Sequence, residues 1–310
     1  MALKRISVLV NPAAGGDRGL ARTKDLVAEL ADRGWTVDLL KASAAEEVAA
    51  TVSTAAQAGM KRLVLAGGDG LVHRALPALV GSDITVGIVP VGTGNDFCRG
   101  LGLPTNRAAA LEAATGPDSF PVDVIAVRHP GGVSYAATVV TAGFSGRVNK
   151  RADELAARRG VPKGSSRYTL ATVVELAALE PRTFRLTSDG GNERDIEASL
   201  IAIGNTRYFG GGMAVCPNAV FNDGAMDLVV IDPVSKVTFA WVLPFVFSGR
   251  HIRHRAVSTQ RCRSLTVTTT EPMWADGEQL DLVPVGESEA LITVELSVEA
   301  NALRVAGVPD

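Results

Sequence analysis

Two glycine-rich segments carry the residues best suited to chemistry. Gly67-Gly68-Asp69-Gly70 follows an apolar run and opens a helical pattern. Glycines at such a junction let main-chain amides approach a phosphate closely, and the start of a helix favours negative charge. The same residues also suit a plain tight turn. Gly92-Thr93-Gly94-Asn95-Asp96 repeats the arrangement one strand–helix unit later. There Thr93 and Asn95 add a hydroxyl and an amide able to bind phosphate or ribose oxygens. Asp96 either orients a metal-bound water or caps the following helix. Two such loops are far more specific than one. Asn11-Pro12-Ala13-Ala14-Gly15-Gly16 is a weaker third loop, because Asn-Pro is ordinary turn chemistry.

Three further acids stand out. Asp123 lies in an apolar run before Val124-Ile125, where an unpartnered carboxylate is costly. It therefore needs either a metal–water network or a local hydrogen-bond donor. Asn222-Asp223-Gly224 reads as a turn, with or without a bound metal. Glu278, in Trp274-Ala275-Asp276-Gly277-Glu278, sits on a turn that can project its carboxylate as a general base.

The elements that must position these residues are legible in the periodicity. Apolar runs at 6–10, 36–40, 62–66, 85–90 and 122–127 predict strands. Helical patterns at 20–31, 44–58, 71–80 and 107–115 fall between them. This alternation predicts an α/β domain with a parallel sheet over residues 1–130. Ligands bind such sheets outside the carboxyl ends of the strands, and the loops beginning at Asn11, Gly67 and Gly92 share that rim. Beyond about residue 130 the pattern turns β-branched and alternating. Strands are predicted at 134–142, 183–187, 198–203, 227–231, 265–270 and 291–298, with helices near 150–158 and 169–180. Residues 131–310 thus read as a β-rich domain.

Composition narrows the function. The chain has 310 residues, with 31 basic against 33 acidic side chains and a net charge of −2. That balance argues against a dedicated nucleic-acid binder. Three cysteines are too few for a disulfide framework and read as reduced cytosolic thiols. The longest greasy stretch, Val237 to Phe247, contains Pro244 and is too short to span a bilayer. Met1-Ala2-Leu3-Lys4-Arg5 leads into no long apolar region, so no signal peptide is expected. The expected location is cytoplasmic, with peripheral attachment at the inner face of the membrane as a variant of it. Two local basic stretches hide in the neutral total. Arg147 to Arg167 holds seven Lys or Arg against two acids, and Gly249 to Arg263 holds five Arg, two His and no acid. They suit either an anionic membrane surface or a salt-bridged face. Phe245, Val246 and Phe247 beside the second stretch either line a lipid groove or pack in the core, with core packing the expectation.

Taken in order, Asn11-Pro12-x-x-Gly15, Gly67-Gly68-Asp69-Gly70 and Pro90-x-Gly92-Thr93-Gly94-Asn95-Asp96-Phe97-x-Arg99 resemble the catalytic domain of the diacylglycerol kinase and lipid kinase family. The likeness is to its soluble bacterial branch, which is related to sphingosine kinases. Further matches are Gly204-Asn205, Gly210-Gly211-Gly212-Met213, Pro217-x-Ala219, Asn222-Asp223-Gly224 and Asp276-Gly277-Glu278, so the resemblance covers nearly the whole chain. Gly-Gly-Asp-Gly alone is shared with NAD kinases and phosphofructokinases.

The resemblance implies an NAD kinase/phosphofructokinase-like α/β domain that binds ATP and a β-sandwich domain that faces a lipid. The active site would lie in the cleft between them, and strands near 295–310 would return to the first domain. It implies γ-phosphoryl transfer from ATP to the hydroxyl of a diacylglycerol-like lipid. The alternatives are a kinase for a sphingoid base or other alcohol, or a nucleotide-binding protein that has lost catalysis.

The residue roles carry over one by one. Glu278 would be the base, with Asp69 and Asp96 also catalytic. Asn11, Gly67, Gly68, Asp69, Gly70, Gly92, Thr93, Gly94 and Asn95 would hold the nucleotide. Asp69, Asp96 and Asp123 would form an aspartate–water–Mg²⁺ network, and Asp223 with the carbonyls of Val220 and Ala225 would hold a second Mg²⁺. The expected partners are a membrane-derived lipid and an anionic membrane surface, with no nucleic acid; a homodimer is compatible. One departure is clear. The family follows Gly-Gly-Asp-Gly with Thr-x-Asn-Glu, whereas this chain has Leu71, Val72, His73 and Arg74. A hydroxyl, an amide and a carboxylate are lost, and a basic residue is gained.

Overall fold

The computed structural model describes residues 4–10, 17–92, 94–156, 165–282 and 291–309. The chain forms two compact units. The first comprises Met1–Val124, Phe221–Asp223 and Glu299–Asp310; the second comprises Ile125–Val220 and Gly224–Val298. The chain first passes from one unit to the other inside a strand, between Val124 and Ile125.

The first unit alternates strand and helix: β1 (Lys4–Val10), α1 (Asp17–Asp32), β2 (Trp35–Leu40), α2 (Val48–Gln57), β3 (Arg62–Gly67), α3 (Asp69–Leu79), β4 (Thr85–Pro90), α4 (Asp96–Gly100) and α5 (Arg107–Thr115). Strands β2, β1, β3 and β4 lie side by side and are all parallel. Ile6, Val8, Val64, Ala66 and Val89 pack against Leu26 and Leu30 of α1 and Leu111 and Ala114 of α5. The central strands are buried on both faces, which is why they read as unbroken apolar runs. Helix α5 starts where Asn106 accepts a hydrogen bond from the Ala109 amide. The segment expected to be helical from residue 44 begins instead as a 3-10 turn, Ala45–Glu47, before α2.

The second unit contains β5 (Ser119–His129), which enters from the first, then β6 (Gly132–Ala136), β7 (Val139–Gly143), α6 (Phe144–Ala156), α7 (Ser165–Ala177), β8 (Arg182–Ser188), β9 (Arg194–Ala198), β10 (Leu200–Gly204) and β11 (Met226–Ile231). It continues through α8 (Lys236–Val242), 3-10 turns at Leu243–Ser248 and Arg250–Arg253, β12 (Val257–Cys262), β13 (Ser264–Thr269), β14 (Met273–Ala275), β15 (Glu278–Gln279) and β16 (Ile292–Ala306). One sheet runs β12-β11-β10-β7-β14-β15; in the other, β13 lies between β8 and β16. Alternation places each side chain. Ile201 and Ile203 of β10 face the core shared with Phe184, Val267 and Val294, while Leu200 and Ala202 face the core beneath α6 and α7.

Three strand expectations need correction. Residues 134–142 are two strands, β6 and β7, and residues 198–203 straddle β9 and β10. In each case the chain changes sheets at a single break, which a continuous apolar pattern does not reveal. The strand expected at 291–298 runs on to Ala306. Its first half pairs with β13, the backbone turns through φ 54 at Asn301, and Arg304 and Val305 then pair in parallel with Thr85 and Val86 of β4. Helix α6 begins at Phe144, six residues before the expected start near 150, despite the weak helix formers Gly146 and Asn149.

His251 gives the second unit a pH dependence. The residue is 1% exposed, its Nε2 is bonded to the Val215 carbonyl, and burial lowers its pKa. The unfolded chain takes up this proton near pH 6.5, whereas the folded state resists it. Stability should therefore be level above about pH 6.5 and fall as the pH drops below it. Urea unfolding at neutral and mildly acidic pH should show this loss, and His251→Gln should reduce it.

Candidate functional site

The two glycine loops meet in the first unit. β3 ends at Gly67, and Gly68, in extended conformation, caps α3. The helix begins at Asp69 rather than at Leu71, because Asp69 and Gly70 already take helical form. Gly68 and Gly92 abut through their main chains. A Cβ on Gly92 would lie 3.0 Å from the Gly68 Cα, and one on Gly68 would lie 3.3 Å from the Gly92 Cα. Any larger residue would separate the loops. The Val91 amide also donates to the Gly67 carbonyl at 3.0 Å.

Asp69 ties the loops together. Its Oδ2 accepts from the Asp96 amide at 3.1 Å and its Oδ1 from the Phe97 amide at 3.0 Å. The carboxylate of the first loop thus caps the helix that follows the second. Asn95 supports the turn with its backbone in the left-handed region, φ 51, and its side-chain amide on the Gly92 carbonyl at 2.9 Å. Asp96 is buried, beside buried Phe97 and Cys98. Burial, reinforced by the Asp69 carboxylate, pushes the Cys98 thiol up to about 12, so Cys98 stays protonated at neutral pH. Asn11 and Thr93, expected to bind nucleotide, lie outside the described residues.

The departures from the family pattern have a local explanation in part. Leu71 and Val72 are buried. The Leu71 side chain fills the space beside Gly67, where a Cβ would come within 2.6 Å of Leu71 Cδ2. A family hydroxyl position has thus become core packing.

Asp123 is 1% exposed and finds its partner in the chain's return: its Oδ1 accepts from the Asn301 amide at 2.7 Å. Its own amide donates to Phe221 at 2.7 Å, and the Phe221 ring packs on Phe120 with centroids 5.6 Å apart. Phe221–Asp223 thereby joins the first unit, with Gly224 completing the turn at φ 72. Val220 is partly exposed and Ala225 is buried. Among the described residues no three His, Cys, Asp or Glu side chains gather into a metal cage. Mg²⁺ does not need one, because it is commonly held through one or two carboxylates, waters and substrate phosphates.

In the second unit Glu278 stands on a two-residue hairpin. Ala275 pairs with Glu278, and both connecting residues, Asp276 and Gly277, have positive φ of 52 and 89. Asp-Gly with both φ values positive is the signature of a type I′ turn, whose twist matches the flanking strands. The Asp276 carboxylate clamps the hairpin onto the break between β6 and β7. It accepts from the Ala137 amide at 2.9 Å, the Thr138 amide at 2.7 Å and the Thr138 hydroxyl at 2.6 Å. In the sequence Asp276 stands out only as part of a motif; its partners lie some 140 positions away and no spacing signals them. Asp276→Ala should cost the second unit about 2–3 kcal/mol, read as a lower unfolding midpoint, because charge-assisted bonds are lost and two amides are stranded.

Sequence reasoning also missed a polar group beneath α6. Thr141 Oγ1, Ser145 Oγ, Asn149 Nδ2 and Trp274 Nε1 are buried and have no hydrogen-bond partner among the described residues. Thr141 and Trp274 are directly opposite in β7 and β14, and Ser145 and Asn149 are one helical turn apart. Gly146 lies against the indole, where a Cβ would come within 2.7 Å of the ring. Such atoms call for water or for polar groups of a ligand.

Comparison with known proteins resolves the family. Residues 5–127 match the diacylglycerol kinase catalytic domain, and residues 138–307 match the YegS C-terminal NAD kinase beta sandwich-like domain. The chain belongs to the diacylglycerol kinase family. A diacylglycerol kinase of Mycobacterium tuberculosis is 34% identical over 277 residues, covering 88% of each chain. A Xanthomonas euvesicatoria protein named "Probable lipid kinase YegS-like" is 28% identical, covering 82% of this chain and 84% of its own. A diacylglycerol kinase structure from Bacillus anthracis superposes with a TM-score of 0.69 at 21% identity, covering 100% of this chain and 98% of the other. Yeast NADH kinase shares the fold more distantly, with a TM-score of 0.53 at 11% identity over 98% of this chain and 83% of that one. The family makes this chain a lipid kinase with an α/β nucleotide-type domain and an antiparallel β-rich domain.

Proposed function

We propose that this lipid kinase transfers the γ-phosphoryl group of ATP to the hydroxyl of a diacylglycerol-like lipid. The observation that carries the reading is the joined pair of glycine loops: Gly68 against Gly92, with Asp69 capping the helix after the second loop. That packing brings two sets of main-chain amides to one rim of a parallel sheet, as a polyphosphate requires. Gly67, Gly68, Gly70, Gly92, Gly94 and Asn95 would line the phosphates, with Asn11 and Thr93 contributing from the adjoining loops.

Mg²⁺, when bound, would neutralise phosphate charge. Asp69, Asp96 and Asp123 would hold it through water, and Asp223 with the carbonyls of Val220 and Ala225 would hold a second ion. Glu278 would take the proton of the acceptor hydroxyl, with Asp276 fixing the hairpin that presents it. Mass spectrometry of products from a panel of lipid alcohols tests the substrate. A gain of one phosphate on diacylglycerol supports the reading, whereas a gain confined to sphingoid bases replaces it with a different acceptor. The buried Leu71, in a family hydroxyl position, motivates one rival: a nucleotide-binding protein without turnover. ATP binding by calorimetry, with no phosphorylated lipid from any acceptor, would favour that rival.

A further inference from the structure

The segment from Lys236 to Ser248 is apolar on both of its faces. Phe239 and Val246 are buried in the core with Val229 and Ile231, and Val242 is buried as well. The outward face is also apolar. Val237, Ala240, Trp241, Pro244 and Phe245 follow helical spacing and are all exposed, and Phe247 is exposed beside them. Val237 is 80% exposed, Trp241 65% and Phe247 60%, and the Trp241 and Phe245 rings pair with centroids 5.3 Å apart. The expectation that Phe245, Val246 and Phe247 are core residues therefore holds only for Val246. A surface helix ordinarily turns charged and polar residues outward. A cluster of exposed large apolar side chains marks an interaction surface.

Charge identifies the partner. From Lys236 to Arg263 the chain contains no Asp or Glu but six Lys or Arg. Arg250, Arg253 and Arg255 are exposed just beyond the aromatic face, and among the described residues they form no ion pairs. The first basic stretch differs: Arg147 and Arg151 are neutralised by Glu175, and Arg151 also by Glu154. Part of that stretch lies outside the described residues.

We infer that the α8–3-10 segment docks on an anionic lipid bilayer. Trp241, Phe245 and Phe247 enter the headgroup–acyl boundary, and Arg250, Arg253 and Arg255 engage anionic headgroups. Aromatic side chains with a cationic rim are suited to that boundary. A second copy of the chain fits less well, because pairing this face with itself would bring like charges together. Among the described residues no helix is long and apolar enough to cross a membrane. The inference deepens the lipid-kinase reading by naming the surface from which the substrate is drawn.

Vesicle flotation tests it with the full chain. Phosphatidylcholine vesicles are compared with vesicles that also contain phosphatidylglycerol. The parent protein should float with the anionic vesicles, and its tryptophan emission should shift to the blue. Trp241→Ser/Phe245→Ser/Phe247→Ser should lower partitioning by roughly tenfold or more. Arg250→Glu/Arg253→Glu should remove the preference for phosphatidylglycerol. The side chains concerned are exposed, so thermal melting should be unchanged; Trp241→Ser alone gives the same reading where the triple variant fails to fold. Equal flotation of parent and aromatic variants would overturn the inference. So would a lipid-free dimer that the Trp241 substitution dissociates. Flotation reads binding and not turnover, so failure to phosphorylate a lipid would count against the kinase reading alone.

Discussion

Replacing Glu278 with glutamine should lower the rate of lipid phosphorylation by roughly 10²–10⁴-fold, the range for loss of a general base. Nucleotide affinity should stay near that of the parent, because Glu278 belongs to the second unit and the glycine loops to the first. The substitution keeps the shape of the side chain and the main-chain pairing with Ala275. The hairpin clamp, made by Asp276 on Ala137 and Thr138, is untouched. A fall in kcat at unchanged melting temperature would identify a chemical role. A matching fall in stability would identify a structural one. Asp276→Ala supplies the contrast, since it should lower stability and rate together.

The second large effect should come from Gly92→Val. A Cβ there meets the Gly68 Cα at 3.0 Å and the Asn95 Oδ1 at 3.1 Å. The first of these is main chain at the cap of α3, and it cannot move without disturbing the helix start. The branched side chain must push the two loops apart and strain the Asp69 bonds to Asp96 and Phe97. Overpacking of this kind costs roughly 1–3 kcal/mol. Nucleotide binding should suffer more than stability, by roughly a hundredfold, because phosphate contacts depend on the placement of both loops. Titration calorimetry with ATP and a thermal melt separate the two effects. Gly68→Ala should be milder, because its nearest contact is 3.3 Å.

The glycine loops were legible because their signal is local: each occupies one strand–helix junction, and the residue types state what the backbone must do. The parallel strands were legible for a related reason, since burial on both faces writes an unbroken apolar run. What the sequence concealed is long-range. Asp69 reads as a phosphate-loop acid, yet both of its oxygens bond main-chain amides 27 and 28 positions away. Asp123 clearly needed a partner, but nothing in its neighbourhood named Asn301. The sheet changes at Ala137–Thr138 and at Ser199 were hidden because apolar alternation continues through them. Residues 291–298 read as one strand, and the return of residues near 295–310 to the first unit came only from the family resemblance; no spacing shows that the two halves of 292–306 pair with different strands. The exposure of Phe245 and Phe247 was not legible because a run of Phe and Val says how much is apolar, not which side is covered.

The proposed reaction is transfer of phosphate from ATP to a diacylglycerol-like hydroxyl with Glu278 as base. The most direct measurement is transfer of label from γ-labelled ATP to diacylglycerol in mixed micelles containing Mg²⁺, run in parallel on the parent chain and on Glu278→Gln. Labelled phosphatidic acid is expected from the parent and roughly 10²–10⁴-fold less from the variant. Absence of any labelled lipid across a panel of lipid alcohols, or equal rates from the two proteins, would contradict it.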